Sequence, residues 1–245
     1  MENNMQENDL SLKGIGFTES LSIFGIASIV LIIETHFLIP FLSNVTGWET
    51  IIFWFIVAGL GLFFPLLIIS FLIIKKEGYR LNRQLWNERL RFKKITKADW
   101  IWSIGAIIVI GILSALIIEI MKLFFAEVNH QPSFMSFEPL TRNRYWILLI
   151  WFPYWLLNII GEEILWRGVL LPRQEIVFGK FTWLFHGFFW GIFHIGFGWQ
   201  LLLMLLPILF IQSYAVQRRK NTWIGVIIHA GINGPSFLAL SFGLI

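Results

Sequence analysis

Long uninterrupted apolar blocks recur along this chain of 245 residues, and nothing else in it constrains the fold as strongly. A hydrocarbon core about 30 Å thick is crossed by about 20 helical residues at about 1.5 Å each, so an apolar run of 18 or more reads as a membrane helix. Seven such runs can be drawn, at about 18–42, 51–74, 100–124, 145–171, 181–198, 200–216 and 223–245. The expected fold is an all-α polytopic transmembrane helix bundle of about seven spans. Composition agrees: 57% of residues are apolar and 14% charged, where soluble domains carry about 45–50% and about 25%. No repeat, low-complexity stretch or linker marks a separate soluble domain.

The net charge is +4 and the pI about 9.5. In a soluble protein that balance would raise nucleic acid as a partner. Here the excess sits in short loops between apolar blocks, so it reads as topology and no nucleic-acid partner is expected. Segment 75–99 carries Lys75, Lys76, Arg80, Arg83, Arg89, Arg91, Lys93, Lys94 and Lys97. Arg173 and Lys180, then Arg218, Arg219 and Lys220, follow in alternate loops, whereas 43–50 and 199–200 have no cation and 125–144 has Arg142 and Arg144. Short cytoplasmic loops are the Lys- and Arg-rich ones, which places the N-terminal segment 1–17 in the cytoplasm and the C-terminus outside. Within residues 1–20, Glu2, Glu7, Asp9 and Glu19 stand against Lys13 alone, so the first span is expected to be a retained helix and not a secretory signal. The N-terminal helices then occupy 18–124, with the basic loop 75–99 between them. Within that loop Leu81, Leu85 and Phe92 lie near one helical face, so an interfacial helix and a solvated loop are both open, and neither carries chemistry. Cysteine is absent, which removes disulfides, thiolate catalysis and Cys-based metal sites. The wealth of Ile, Phe, Lys and Asn suggests a bacterial plasma membrane.

The chemistry-bearing residues come late. Span four ends Asn158-Ile159-Ile160-Gly161-Glu162-Glu163-Ile164-Leu165-Trp166-Arg167-Gly168. A charged group at a helix centre costs roughly 2.5–3.5 kcal/mol on insertion scales, so three within six positions require an explanation. Glu163 and Arg167 are four apart and can pair. Glu162 points about 100° away, beside Asn158 and Trp166 and roughly 13 Å from the cytoplasmic end. An ion cluster with Arg167 snorkelling to headgroups would account for Glu163 and Arg167 better than for Glu162.

In span five, Gly187, Gly191 and His194 share a face with Trp190 beside them. Small residues four apart let membrane helices approach closely, so His194 is expected to point into the bundle. His186 lies about 80° from that face and reads as structural. In span seven, Gly225, His229 and Asn233 form a stripe at spacing four, for which an interhelical hydrogen-bond pair is the plainer reading. Taken together, the three spans offer a general base, a second proton carrier and neutral donors for an oxyanion. No serine nucleophile elbow or HExxH helix is present, so the chemistry suggested is attack of activated water on a carbonyl.

Glu162-Glu163-x-x-x-Arg167, Trp190-x-x-x-His194 and His229-x-x-x-Asn233, in that order, resemble the motifs of the CPBP family of CAAX and bacteriocin-processing membrane proteases, also called Abi-type. The resemblance covers about residues 145–240 and departs at Trp190, where the family usually has Phe. It implies a glutamate-type intramembrane endopeptidase without metal or cofactor, with 145–245 as its catalytic region. By that resemblance Glu162 would activate water with help from His194, and His229 and Asn233 would stabilise the oxyanion. Glu163 and Arg167 would order the helix, with Asn158 and Trp190 in support. The implied partners are membrane lipid and a membrane-associated protein or peptide substrate, reached through a cavity open to the cytoplasm. Prenylated CAAX proteins, pheromone precursors and bacteriocin leaders all fit, a peptide precursor best in a bacterium.

One tension is geometric: on an upright helix His194 would lie roughly 19 Å from the cytoplasmic side, deeper than Glu162. Two other readings remain at this point. One is a metalloprotease with Glu162, His194 and His229 on zinc. The other is a non-catalytic membrane scaffold that keeps the motifs for folding. A transporter fits less well, because no half-to-half symmetry is visible.

Overall fold

A computed structural model describes residues 12–80 and 82–244. Glu2, Glu7, Asp9 and Leu81 lie outside the described residues. Every regular element among those described is helical, as an all-α polytopic bundle requires. Six stretches are long and apolar enough to cross a membrane: Phe17–Thr46, Thr50–Lys76, Lys97–Phe124, Ile147–Phe197, Trp199–Arg219 and Thr222–Ser241.

The fourth of these is 51 residues long and reverses direction. Gly179 has φ 55° and ψ −128°, a conformation that side chains with a Cβ rarely adopt. Beyond it Thr182–Phe193 folds back: the Phe178 and Phe185 rings stack at 4.3 Å, and His186 Nδ1 donates to Gln174 Oε1 at 2.6 Å. Counting both limbs of that reversal, the chain makes seven passes along the bundle, the fifth of them a 12-residue helix shorter than a membrane crossing: α1 (Phe17–Thr46), α2 (Thr50–Lys76), α3 (Lys97–Phe124), α4 (147–178), α5 (Thr182–Phe193), α6 (Trp199–Arg219) and α7 (Thr222–Ser241).

Contacts between loops define the two ends of the bundle. At one end Ile15 N donates to Arg173 O, Glu77 pairs with Arg89 and Arg173, Glu175 pairs with Arg91 and Lys220, and Arg219 pairs with Asp99. At the other, Arg144 pairs with Glu49, Ser133 N donates to Phe197 O, and Leu140 N donates to Ser241 O. Successive passes alternate between these ends, and the basic loops gather at the first. The outside is apolar: Ile26, Phe37, Leu60, Ile101 and Leu149 are exposed, while Glu162, Glu163, Arg167, His186 and Gln212 are buried. That distribution inverts the soluble pattern and suits lipid.

Among the described residues of the basic segment, the helical stretch between α2 and α3 is the short one at 83–89, and Leu85, Arg89 and Leu90 are buried. Arg89 Nη1 donates to Gly168 O at 2.9 Å and Nη2 to Val169 O at 3.3 Å, while Nε donates to Glu77 at 2.6 Å. Those carbonyls lie where α4 widens into a π-helix over Glu163–Leu170, and such a widening interrupts the regular helical bonding. Arginine donors fill the gap, which draws the loop inward. The same segment then starts α3 with a capping box, Asp99 N donating to Thr96 Oγ1 at 3.2 Å and Thr96 N to Asp99 Oδ2 at 2.9 Å.

Candidate active site

α4 carries both carboxylates into the centre of the bundle. It can approach α2 because residue 161 is glycine, where a Cβ would lie 2.6 Å from Phe63 O. Glu162 ends the regular α-helical part and Glu163 begins the wide one. Glu162 is 1% exposed, and Glu163 and Arg167 are fully buried.

Glu162 is surrounded by neutral donors. Asn158 Nδ2 donates to Oε1 at 2.8 Å, while Trp166 Nε1 and Trp190 Nε1 donate to Oε2 at 3.1 and 2.8 Å. Asn158 and Trp166 sit one turn to either side, where the helical spacing places them. Trp190 arrives from α5, and a phenylalanine there could not make this bond. No cation pairs with Glu162 among the described residues.

Glu163 differs. Its Oε1 accepts from Arg167 Nη1 at 3.0 Å, Gln212 Nε2 at 2.8 Å and His229 Nδ1 at 2.9 Å. One oxygen thereby joins α4, α6 and α7. Oε2 has no partner and lies against Gly225, where a Cβ would be 2.2 Å away. The Arg167 guanidinium also stacks over the Trp190 ring, 3.6 Å from its centroid, a cation–π contact strengthened by exclusion of water.

His194 sits where α5 ends and tightens into the 3₁₀ turn His194–Phe197. Its Nδ1 donates to Trp190 O at 2.8 Å, which leaves Nε2 as the free nitrogen. Glu162 and His194 thus share Trp190, one through the indole and the other through the backbone. The depth mismatch expected for upright helices narrows to about one helical turn, because α5 presents Trp190 to Glu162 one turn before His194. His229 packs its ring 5.6 Å from that of Trp190. Asn233, one turn further along α7, is partly buried and makes no side-chain hydrogen bond among the described residues. His186 is bonded to Gln174, which in turn bonds Ser20 of α1 at 3.0 Å; it ties helices together, away from Glu162.

Gln212 escaped the sequence reading. The available signal was an amide in the body of an otherwise apolar pass. A buried carboxyl in α1, Glu34, was also missed. Among the described residues no three His, Asp or Glu side chains are placed to hold a metal ion. The zinc arrangement of Glu162, His194 and His229 is not such a grouping in the described residues. A cavity of about 300 Å³ lies between α3 and α6 near Trp102 and Tyr214, and one of about 480 Å³ lies at the basic end near Arg91 and Lys220. Neither is lined by Glu162 or His194.

Residues 144–234 match the family model described as Rce1-like, type II CAAX prenyl endopeptidase. That model belongs to the CPBP family, and the match takes in all three motifs. The family is one of proteases, which supports a CAAX-type membrane endopeptidase at family level. No curated protein and no solved structure matches the chain.

Proposed function

We propose that this chain is a glutamate-type intramembrane endopeptidase that hydrolyses a peptide bond of a membrane-associated protein or peptide precursor. One observation carries the reading: inside a bundle that faces lipid, a carboxylate without a cation is joined through one residue, Trp190, to a histidine with a free Nε2. A water molecule between Glu162 and His194 Nε2 gives up a proton, and its oxygen attacks the scissile carbonyl. The carbonyl electrons move to an oxyanion, which the Asn233 amide and His229 Nε2–H receive. His229 Nδ1 already donates to Glu163, so Nε2 carries a hydrogen only in the doubly protonated ring, whose charge the Glu163 carboxylate offsets. Collapse breaks the C–N bond, and the departing amine takes the proton held by the Glu162–His194 pair. Glu163, Arg167 and Gln212 hold α4, α6 and α7 in register, and Asn158 and Trp190 aim the base.

The basic end of the bundle faces the cytoplasm in this reading, with the N-terminus on that side and the protein in a bacterial plasma membrane. The substrate class follows the family: peptides tethered to the membrane, a prenylated CAAX peptide being the natural first probe. The test is cleavage of such a peptide in membranes by wild type, Glu162→Ala, His194→Ala and Glu163→Ala, with products identified by mass. The first two substitutions abolish cleavage while protein levels persist. Full activity in Glu162→Ala overturns the proposal.

A further inference from the structure

Glu34 lies inside α1, where the helix widens over Glu34–Leu38, and is 5% exposed. Four carboxyl groups are buried among the described residues: Glu34, Asp99, Glu162 and Glu163. The other three are met by donors. The Glu34 carboxyl group makes no hydrogen bond or ion pair among the described residues, and its Oε2 is enclosed without a partner. Its Oε1 faces Gly61 of α2, where a Cβ would lie 2.3 Å away. α2 is itself widened at that level, over Trp54–Phe63. Such widenings concentrate at functional sites, and a carboxyl without partners in a membrane helix is a functional group by default.

The surroundings indicate what it meets. Tyr154 of α4 packs its ring 5.7 Å from Trp54 and 5.8 Å from Phe63 of the widened stretch of α2. On the other side, α1 runs along the segment that bears His194. Ser28 Oγ donates to Ile192 O at 2.8 Å, and a Cβ on Gly196 would lie 3.1 Å from the Ile32 side chain and 3.7 Å from Thr35 Oγ1. Glu34 is 12 residues before the end of α1 and Glu162 is 15 after the start of α4 (46 − 34 and 162 − 147). Those helix ends lie on the same side, so on straight helices the two carboxyls differ in depth by about 5 Å. A substrate peptide inside the bundle brings C=O and N–H groups that have lost their water, and a carboxyl group can meet either kind.

We propose that Glu34 is a positioning residue whose carboxyl group hydrogen-bonds the main chain of a substrate peptide, holding the scissile bond against Glu162. This rests on the protease reading above. The probe is a farnesylated peptide ending in a CAAX sequence, presented to the full chain in proteoliposomes. Glu34→Gln keeps a donor and an acceptor, so its KM is expected to stay within about threefold of wild type. Glu34→Leu keeps neither and is expected to raise KM about tenfold with kcat little changed, the loss of one hydrogen bond to substrate. In the Glu162→Ala background, Glu34→Leu is expected to weaken peptide binding by the same factor. A merely structural Glu34 would instead lower the melting temperature when replaced by Leu, and that result overturns the assignment. Unchanged KM and binding in Glu34→Leu also overturn it, and leave the protease reading standing. Binding that depends on Glu34 without cleavage by any of the proteins supports the assignment and sinks the protease reading. Wild type that neither binds nor cleaves the peptide overturns both.

Discussion

His229 donates from Nδ1 to Glu163 Oε1 at 2.9 Å, and this bond ties the seventh pass to the fourth. The same oxygen takes Arg167 and Gln212. The bond separates the two adjacent carboxylates in kind: Glu163 is a charge-assisted junction of three helices, and Glu162 is held by amide and indole donors alone.

Removing the junction leaves Arg167 buried without its counter-charge. Breaking a buried pair from one side costs about 3–5 kcal/mol. Glu163→Ala is therefore expected to lower the melting temperature of the purified protein well below that of Glu162→Ala. Equal melting temperatures for the two variants would show that Glu163 does not hold the helices together.

Trp190 stands where the family that the motifs resemble usually has Phe, and its indole N–H bonds Glu162. Trp190→Phe removes one of three donors to Glu162 and keeps a ring under Arg167. A hydrogen bond to a charged group contributes about 1.5–3 kcal/mol, but two donors remain, so cleavage is expected to persist within about tenfold. Trp190→Ala loses bond, ring and packing together and is expected to be inactive. Comparing the two rates on one peptide checks the claim.

Gly161 permits the close crossing of α4 and α2. A Cβ there meets the Phe63 carbonyl at 2.6 Å, backbone that cannot step aside. Overpacking of this kind costs about 1–3 kcal/mol. Gly161→Ala is expected to lower the melting temperature accordingly, whereas Gly105→Ala, where a Cβ meets nothing, does not lower it.

The Glu77 clamp makes stability depend on pH. Burial alone would push its carboxyl up, but hydrogen bonds and charge from Arg89 and Arg173 outweigh that and hold it below its ordinary 4.5. A depressed carboxyl stabilises the fold fully above its ordinary value, and the contribution is lost as pH falls through the folded value. Melting temperature is thus expected to fall as pH drops below about 4.5, and Glu77→Gln to flatten that fall. An unchanged slope in Glu77→Gln would assign the acid sensitivity elsewhere.

Much of this was legible in the sequence. Apolar block length alone marks the passes, although the reversal at Gly179 depends on a backbone angle that no block length reveals. Spacing four within one helix places Asn158 and Trp166 beside Glu162, and Arg167 beside Glu163. What the sequence withholds is everything between helices. Gln212 and His229 reach Glu163 only because α6 and α7 pack in one register against α4, and helical periodicity in one segment carries no information about its neighbours. The π-helical stretches also break the 3.6-residue count, so face assignments drift across Glu34–Leu38 and beyond Glu163. The inward turn of Arg89 is hidden for a related reason: it answers carbonyls freed by that widening.

The most direct test of catalysis is the cleavage rate of a prenylated CAAX peptide by reconstituted Glu162→Gln, set beside its melting temperature and peptide binding. Loss of a general base typically costs about 10²–10⁴-fold. The expected result is a fall of that size with folding and binding intact. A Glu162→Gln protein that cleaves within about threefold of wild type, well short of that range, would contradict the assignment of Glu162 as the base.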